Sequence, residues 1–184
     1  MPILLAISDA IDRLLALIAG LIGWLFLVLV AVICFDIITR KVGYQLPGFG
    51  STPIQELEWH LHGLLFMGWL GYAYVRNVHV RIDVFTGHRP ERTQAKIEVI
   101  GILIFAIPYC LVAVWFAYIF AQTSFLQNES SDAPNGLPHR WILKSALFIS
   151  LVLLLLSVIS VLFRRLGVIR GAVPGGALPP AQHG

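Results

Sequence analysis

Charge is what this sequence has least of. Only 12% of its 184 residues are charged, against 58% hydrophobic, and the mean hydropathy is +0.81. That composition excludes an ordinary soluble domain. The polar stretches between the apolar runs are too short to fold separately, so the protein must act through helices and short loops. Cysteine is nearly absent. Cys34 falls near the end of one apolar run and Cys110 near the middle of another, a depth difference of roughly 10 Å at the helical rise, which excludes a bridge between them. Catalytic sets are missing as well. No Ser/His/Asp, Cys/His or metal-ligand cluster has the arrangement such chemistry needs, so the chain reads as no enzyme. It has no internal repeat of the kind that builds a self-sufficient carrier. No small-residue processing site closes the first apolar run, which is expected to stay as an anchor.

What the chain has is four long apolar runs, about Leu14–Phe35, Leu57–Val75, Ile97–Phe120 and Trp141–Phe163. Each is long enough to cross a hydrocarbon core of about 30 Å as a helix. The expected fold is an all-α polytopic membrane protein with four transmembrane helices, at about 11–38, 53–75, 90–120 and 138–165. These form one membrane domain over 1–170, and the Pro/Gly-rich 171–184 is expected to be a mobile tail. The net charge of +3 follows topology and does not suggest nucleic acid. Arg13, Arg76, Arg81, Arg89, Arg92, Lys96, Arg164, Arg165 and Arg170 fall on one side; Arg40, Lys41, Arg140 and Lys144 fall on the other. The positive-inside bias puts both termini in the cytoplasm.

Thr52, Pro53 and Gln55 form a helix start signal, which places Gln55, Glu56 and Glu58 in the first turns of the second helix. Pro108 is expected to bend the third helix, and Pro138 to open the fourth. Ionisable groups near hydrocarbon need a partner or a task. Asp36/Arg40, Glu56/His60 and Glu58/His62 are each four apart and can pair on one helix surface. Two readings of Glu56, Glu58 and Trp59 stand side by side: local neutralisation at the interface, or docking onto another protein. His60 and His62 point about 200° apart on a helix, so they do not chelate one ion. Trp59, Tyr118 and Trp141 suit the aromatic belt, and Lys144 is placed to snorkel outward. From Val78 to Val84, apolar residues alternate with His79, Arg81 and Asp83. That period of two predicts an extended strap at the cytoplasmic interface, where Arg76 and Arg81 can hold lipid phosphates.

Gln55-Glu-Leu-Glu-Trp59 and Arg76-Asn-Val-His-Val-Arg-Ile-Asp-Val-Phe85, with Pro108 and Gly136-Leu-Pro-His-Arg-Trp-Ile-Leu-Lys144, resemble the small membrane subunit of tripartite ATP-independent periplasmic (TRAP) transporters, the DctQ-like family. The resemblance covers roughly residues 10–165. It implies a non-catalytic brace in the bacterial inner membrane, beside a large membrane subunit that moves an organic acid with sodium. A periplasmic substrate-binding protein completes such a system. No cofactor is expected in this chain, and sodium is expected at the large subunit. Carried onto this sequence, the resemblance assigns Gln55, Glu56, Glu58, Trp59, Arg76, His79, Arg81 and Asp83 to partner binding. Arg76 and Arg81 also face lipid, and Glu129 and Asp132 contact the periplasmic protein. Two rival functions remain: a haem- or quinone-linked membrane anchor, and a self-contained small carrier working as an oligomer.

Overall fold

An apolar chain in lipid satisfies its backbone polar groups most simply as a helix, and helix is what the sequence forms. The computed structural model describes residues 1–44, 50–78 and 88–172. Its helices are α1 (Pro2–Gly23), α2 (Leu25–Val42), α3 (Ser51–Val75), α4 (Glu91–Gly101), α5 (Ile107–Leu126) and α6 (Trp141–Ile169). Trp24 alone separates α1 from α2, where the backbone tightens to three-residue hydrogen bonds, Trp24 N–H to Leu21 O and Leu27 N–H to Trp24 O. At the end of α2, Gly43 adopts a left-handed conformation (φ 70°). Its N–H and that of Tyr44 then close on Arg40 O and Thr39 O, a C-terminal cap that glycine makes without steric cost.

Among the described residues, three stretches, Pro2–Val42, Glu91–Leu126 and Trp141–Ile169, are long and apolar enough to cross a membrane. α3 has the length, at 25 residues, but Glu56, Glu58, His60 and His62 lower the hydropathy of its first half. The protein is all-α and largely membrane-spanning, with three to four spanning helices.

Helix boundaries differ from the sequence expectation in instructive ways. The first helix begins at Pro2 instead of near residue 11, because Asp9 and Asp12 meet a cation and do not interrupt it. α3 starts at Ser51, just ahead of the expected Pro53. α6 starts at Trp141 instead of Pro138, because His139 takes a left-handed φ of 63° and turns the chain before the helix can begin. Residues 173–184, most of the expected tail, lie outside the described residues.

Ahead of Pro108, where a bend is expected, the helix changes its hydrogen bonding. Residues Ile102–Ala106, immediately before α5, are a π-helical segment, and Ile107 N–H reaches back to Ile102 O. Proline has no N–H, and its ring crowds the carbonyl four residues earlier. Widening the preceding turn by one residue relieves that crowding.

The described chain packs as two units. The first draws on Met1–Leu17, Leu70–Val114 and the chain from Leu151 onward. Its apolar core is Ile102, Cys110, Val158, Val161 and Leu162. Gly71 brings α3 against α6 here, since a Cβ at that position would lie 3.0 Å from Leu153 O and 3.1 Å from Leu15 Cδ2. A polar seam runs through the same unit. Ser8 and Ser160 are fully buried, with their Oγ atoms 2.7 Å apart, and Ser160 Oγ donates to Asp12 at 2.6 Å. Arg164 bridges Asp9 at 2.8 Å and also pairs with Asp12. Its neighbour Arg165 pairs with Glu98 of α4, its NH2 donating to Oε1 at 3.0 Å.

The second unit comprises Ile18–Trp69 and Trp115–Ser150. Trp69 Nε1 donates to Ala19 O at 3.0 Å, and Gly68 lies directly against Ile22. Edge-to-face ring pairs, Tyr118–Phe148 and Phe125–Trp141, join α5 to α6. Both cysteines are free.

Candidate functional site

The polar start of α3 is where sequence reasoning concentrated its candidates, and the second unit shows what surrounds it. Glu56 is only 7% exposed. Its carboxylate accepts from Ser131 Oγ and, at 2.5 Å, from the Leu137 N–H. Both donors belong to the 127–140 loop. That loop needs unusual backbone: Asn128, Asn135 and His139 all have positive φ. Asparagine tolerates this region better than most residues. Gly136 is required for a different reason, because a Cβ there would sit 2.4 Å from Ser131 and 3.0 Å from Glu56 Oε1. Ser131 N–H bonds to Leu137 O at 3.1 Å and Arg140 N–H to Glu129 O at 2.9 Å. Glu56 therefore acts as a staple at the centre of an ordered loop.

The expected Asp36–Arg40 pair forms at 2.5 Å, with the Asp36 side chain almost wholly buried. Gln55 joins it when its amide oxygen faces Arg40, accepting from NH1 at 2.8 Å. The Glu56–His60 pairing takes another route. His60 Nδ1 lies 2.6 Å from the Glu56 backbone carbonyl, and since a carbonyl only accepts, Nδ1 carries the proton. Glu58 has one carboxylate oxygen, Oε1, buried without a hydrogen-bond partner among the described residues. Trp59 stacks on His60 with ring centroids 4.0 Å apart and remains 43% exposed. Of this group, Gln55 and Trp59 present the most surface.

In the loop, Glu129 pairs with Lys144. That hydrogen bond holds the Glu129 carboxyl below the usual carboxylate range. Lys144 does not snorkel freely, for its ammonium lies 3.9 Å over the Phe120 ring. Asp132 is the exposed member: its side chain is 99% accessible, 3.6 Å from Arg140 NH1. At the far end of α3, Arg76 is exposed and sits 5.6 Å over the Tyr72 ring. His79, Arg81 and Asp83, with the expected strap, lie outside the described residues.

Sequence reasoning missed Ser131 and the Leu137 N–H as partners of Glu56, and Gly136 as the residue whose missing Cβ leaves room for that contact. The one available signal was the Asn135-Gly136 turn pair; nothing marked Glu56 as its acceptor. Among the described residues, no group of three or more His, Cys, Asp or Glu side chains could hold a metal ion.

A largely membrane-spanning helical protein whose buried ionisable groups mostly pair with one another has the character of a structural membrane subunit. Residues 29–167 match the family model for the DctQ component of tripartite ATP-independent periplasmic transporters. The chain belongs to that family, over most of its length, and is a non-catalytic transmembrane subunit of a transport system. The resemblance read from its motifs is borne out. No curated protein and no solved structure matches it significantly.

Proposed function

We propose that this chain is the small subunit that braces the scaffold of the large membrane subunit in a sodium-driven TRAP transporter for organic acids. Membership of the DctQ family over residues 29–167 carries the reading. The internal pairing of Asp36, Glu56, Glu98 and Glu129 supports it, because carboxylates committed to neighbours do not continue an ion path. An elevator-type carrier needs a fixed wall for its moving part, and a helical bundle stiffened by such pairs suits that task. In this reading α3 is a fourth span, both termini are cytoplasmic, and the 127–140 loop is periplasmic. Residues 1–170 then form one membrane domain, followed by the tail. Gln55, Glu58, Trp59 and Arg76 meet the large subunit, with His79, Arg81 and Asp83 holding the cytoplasmic strap and Arg76 and Arg81 also reaching lipid. Glu56 contributes indirectly, by setting the loop from which Glu129 and Asp132 approach the periplasmic binding protein.

Affinity purification of the tagged chain from its native membrane into lipid nanodiscs tests this. A large polytopic subunit is expected to co-purify in stoichiometric amount. Recovery of the chain alone as a defined oligomer, with organic-acid uptake by that oligomer in liposomes, would overturn the brace.

A further inference from the structure

A recess of about 300 Å³ opens in the second unit, walled by Trp59, Met67, Phe120, Leu143 and Leu147. That volume lies at the lower end for small-molecule sites. Arg140 and Lys144 complete the lining. Arg140 immediately precedes α6, whereas Leu147 lies seven residues on, about 10 Å along the axis at the helical rise. The recess is therefore charged at one end and apolar along its length.

The two cations differ in how far they are satisfied. Lys144 is engaged by Glu129 and lies over Phe120. Arg140 is not comparably held. Its NH2 reaches Ser131 Oγ only at 3.5 Å, and its NH1 faces Asp132 at 3.6 Å. Its Nε is buried with no hydrogen-bond partner among the described residues. Guanidinium prefers close, forked acceptors such as phosphate, so these donors are under-used. Nearby, Glu56 is committed to Ser131 and Leu137. Asp132 is fully open to solvent, so its hold on Arg140 is weak. The mouth thus offers one cation and one accessible anion side by side.

We infer that this recess binds one phospholipid with a zwitterionic, primary-amine headgroup. An acyl chain lies along the apolar walls, the phosphate meets Arg140, and the ammonium meets Asp132. Charge complementarity selects this occupant. A purely anionic headgroup, or a partner's carboxylate, would satisfy Arg140 but be repelled by Asp132. A zwitterion matches both, and a primary ammonium, unlike a quaternary one, also donates hydrogen bonds to the Asp132 carboxylate. The inference rests on membrane embedding and not on the brace reading, and it is tested on the isolated chain.

The experiment is native mass spectrometry of the delipidated chain in detergent, titrated with dioleoyl phosphatidylethanolamine, phosphatidylcholine or phosphatidylglycerol. Circular dichroism first establishes that each variant keeps its helix content. One phosphatidylethanolamine is expected to be retained most tightly. Arg140→Gln should weaken it about tenfold, the scale of one lost charge-assisted bond. Leu147→Trp should weaken it similarly by filling the apolar end. Asp132→Asn should narrow the preference for phosphatidylethanolamine over phosphatidylcholine. Equal retention of all three lipids, indifferent to Arg140→Gln and Leu147→Trp, would overturn the site. So would an Arg140→Gln chain that holds phosphatidylethanolamine as tightly as the parent, since the guanidinium would then take no part in binding the headgroup.

Discussion

In the first unit ion pairs tie helix to helix; in the second they stay within α2 or fasten the 127–140 loop. Arg164 and Arg165 are adjacent on α6, yet Arg164 holds Asp9 and Asp12 of α1 while Arg165 holds Glu98 of α4. Successive residues on a helix point about 100° apart, so one dipeptide can clamp two neighbours. The buried Ser8–Ser160 contact sits on the same seam. Bonds of this kind set the register of helices that apolar packing alone would let slide, since lipid tails are as apolar as the side chains. In the second unit, Glu56 and Lys144 reach from α3 and α6 to loop residues. Those bonds shape a short segment and leave helix register to the packing at Gly63 and Gly68 and to the single Trp69 Nε1 bond to Ala19 O. The difference teaches where damage should stay local and where it should spread.

The largest effect is expected from Arg165→Met. Its side chain is only 11% exposed, and removing one partner of a largely buried pair costs about 3 kcal/mol. Thermal unfolding in nanodiscs should shift to lower temperature as a whole, with faster amide exchange in α4 and α6 together. An unchanged midpoint would remove the clamp from the account of the first unit.

Glu56→Gln should do less. It keeps the shape but exchanges two charge-assisted bonds for neutral ones, a loss of about 1–2 kcal/mol. The expected signature is concentrated in the loop, with faster exchange at the Leu137 amide and easier proteolysis within 127–140, while the unfolding midpoint falls less than with Arg165→Met. If this variant lowered the midpoint as far as Arg165→Met, the contrast between the units would fail.

The smallest effect is a pH dependence. The Lys144 hydrogen bond depresses the Glu129 carboxyl. A carboxylate with a lowered folded pKa adds stability that is complete above its unfolded pKa and is lost as pH falls through the folded one. The protection of the loop amides, corrected for the intrinsic slowing of exchange in acid, should therefore fall with acidification below the usual carboxylate range, and Lys144→Met should flatten that response. An equal acid response in both proteins would show that another group drives it.

Much of the architecture could be read in advance because it follows from composition. Four apolar runs demand helices in lipid, whatever their neighbours. Pro108 had to disturb its helix for want of an N–H, and Asp36 with Arg40 had to meet because four residues make about one turn. The local geometry of the helix starts was less legible. Pro138 carried the signal of a first helical residue, yet the left-handed His139 displaced the start to Trp141. The competing bonds there, such as Arg140 N–H to Glu129 O, belong to the loop as a whole.

The candidate site divides in the same way. Glu56 stood out as a carboxylate near hydrocarbon that needed a partner, and its position on α3 was correctly expected. Its donors, Ser131 and Leu137, are 75 and 81 residues away, and no periodicity links them. Arg164 and Arg165 show the same limit. Along the chain they read only as cytoplasmic charge.

The sequence by itself determined that the chain is helical, membrane-embedded and of the DctQ family, since hydrophobic length and local motifs are properties of contiguous residues. Only the tertiary structure decided which polar groups meet. Asp12 needed Ser160 and Arg164 beside it, and Glu56 needed a loop folded back by Gly136. A charge in a low-dielectric setting is satisfied by whatever the fold brings within about 3 Å, and the order of residues along the chain does not encode that distance.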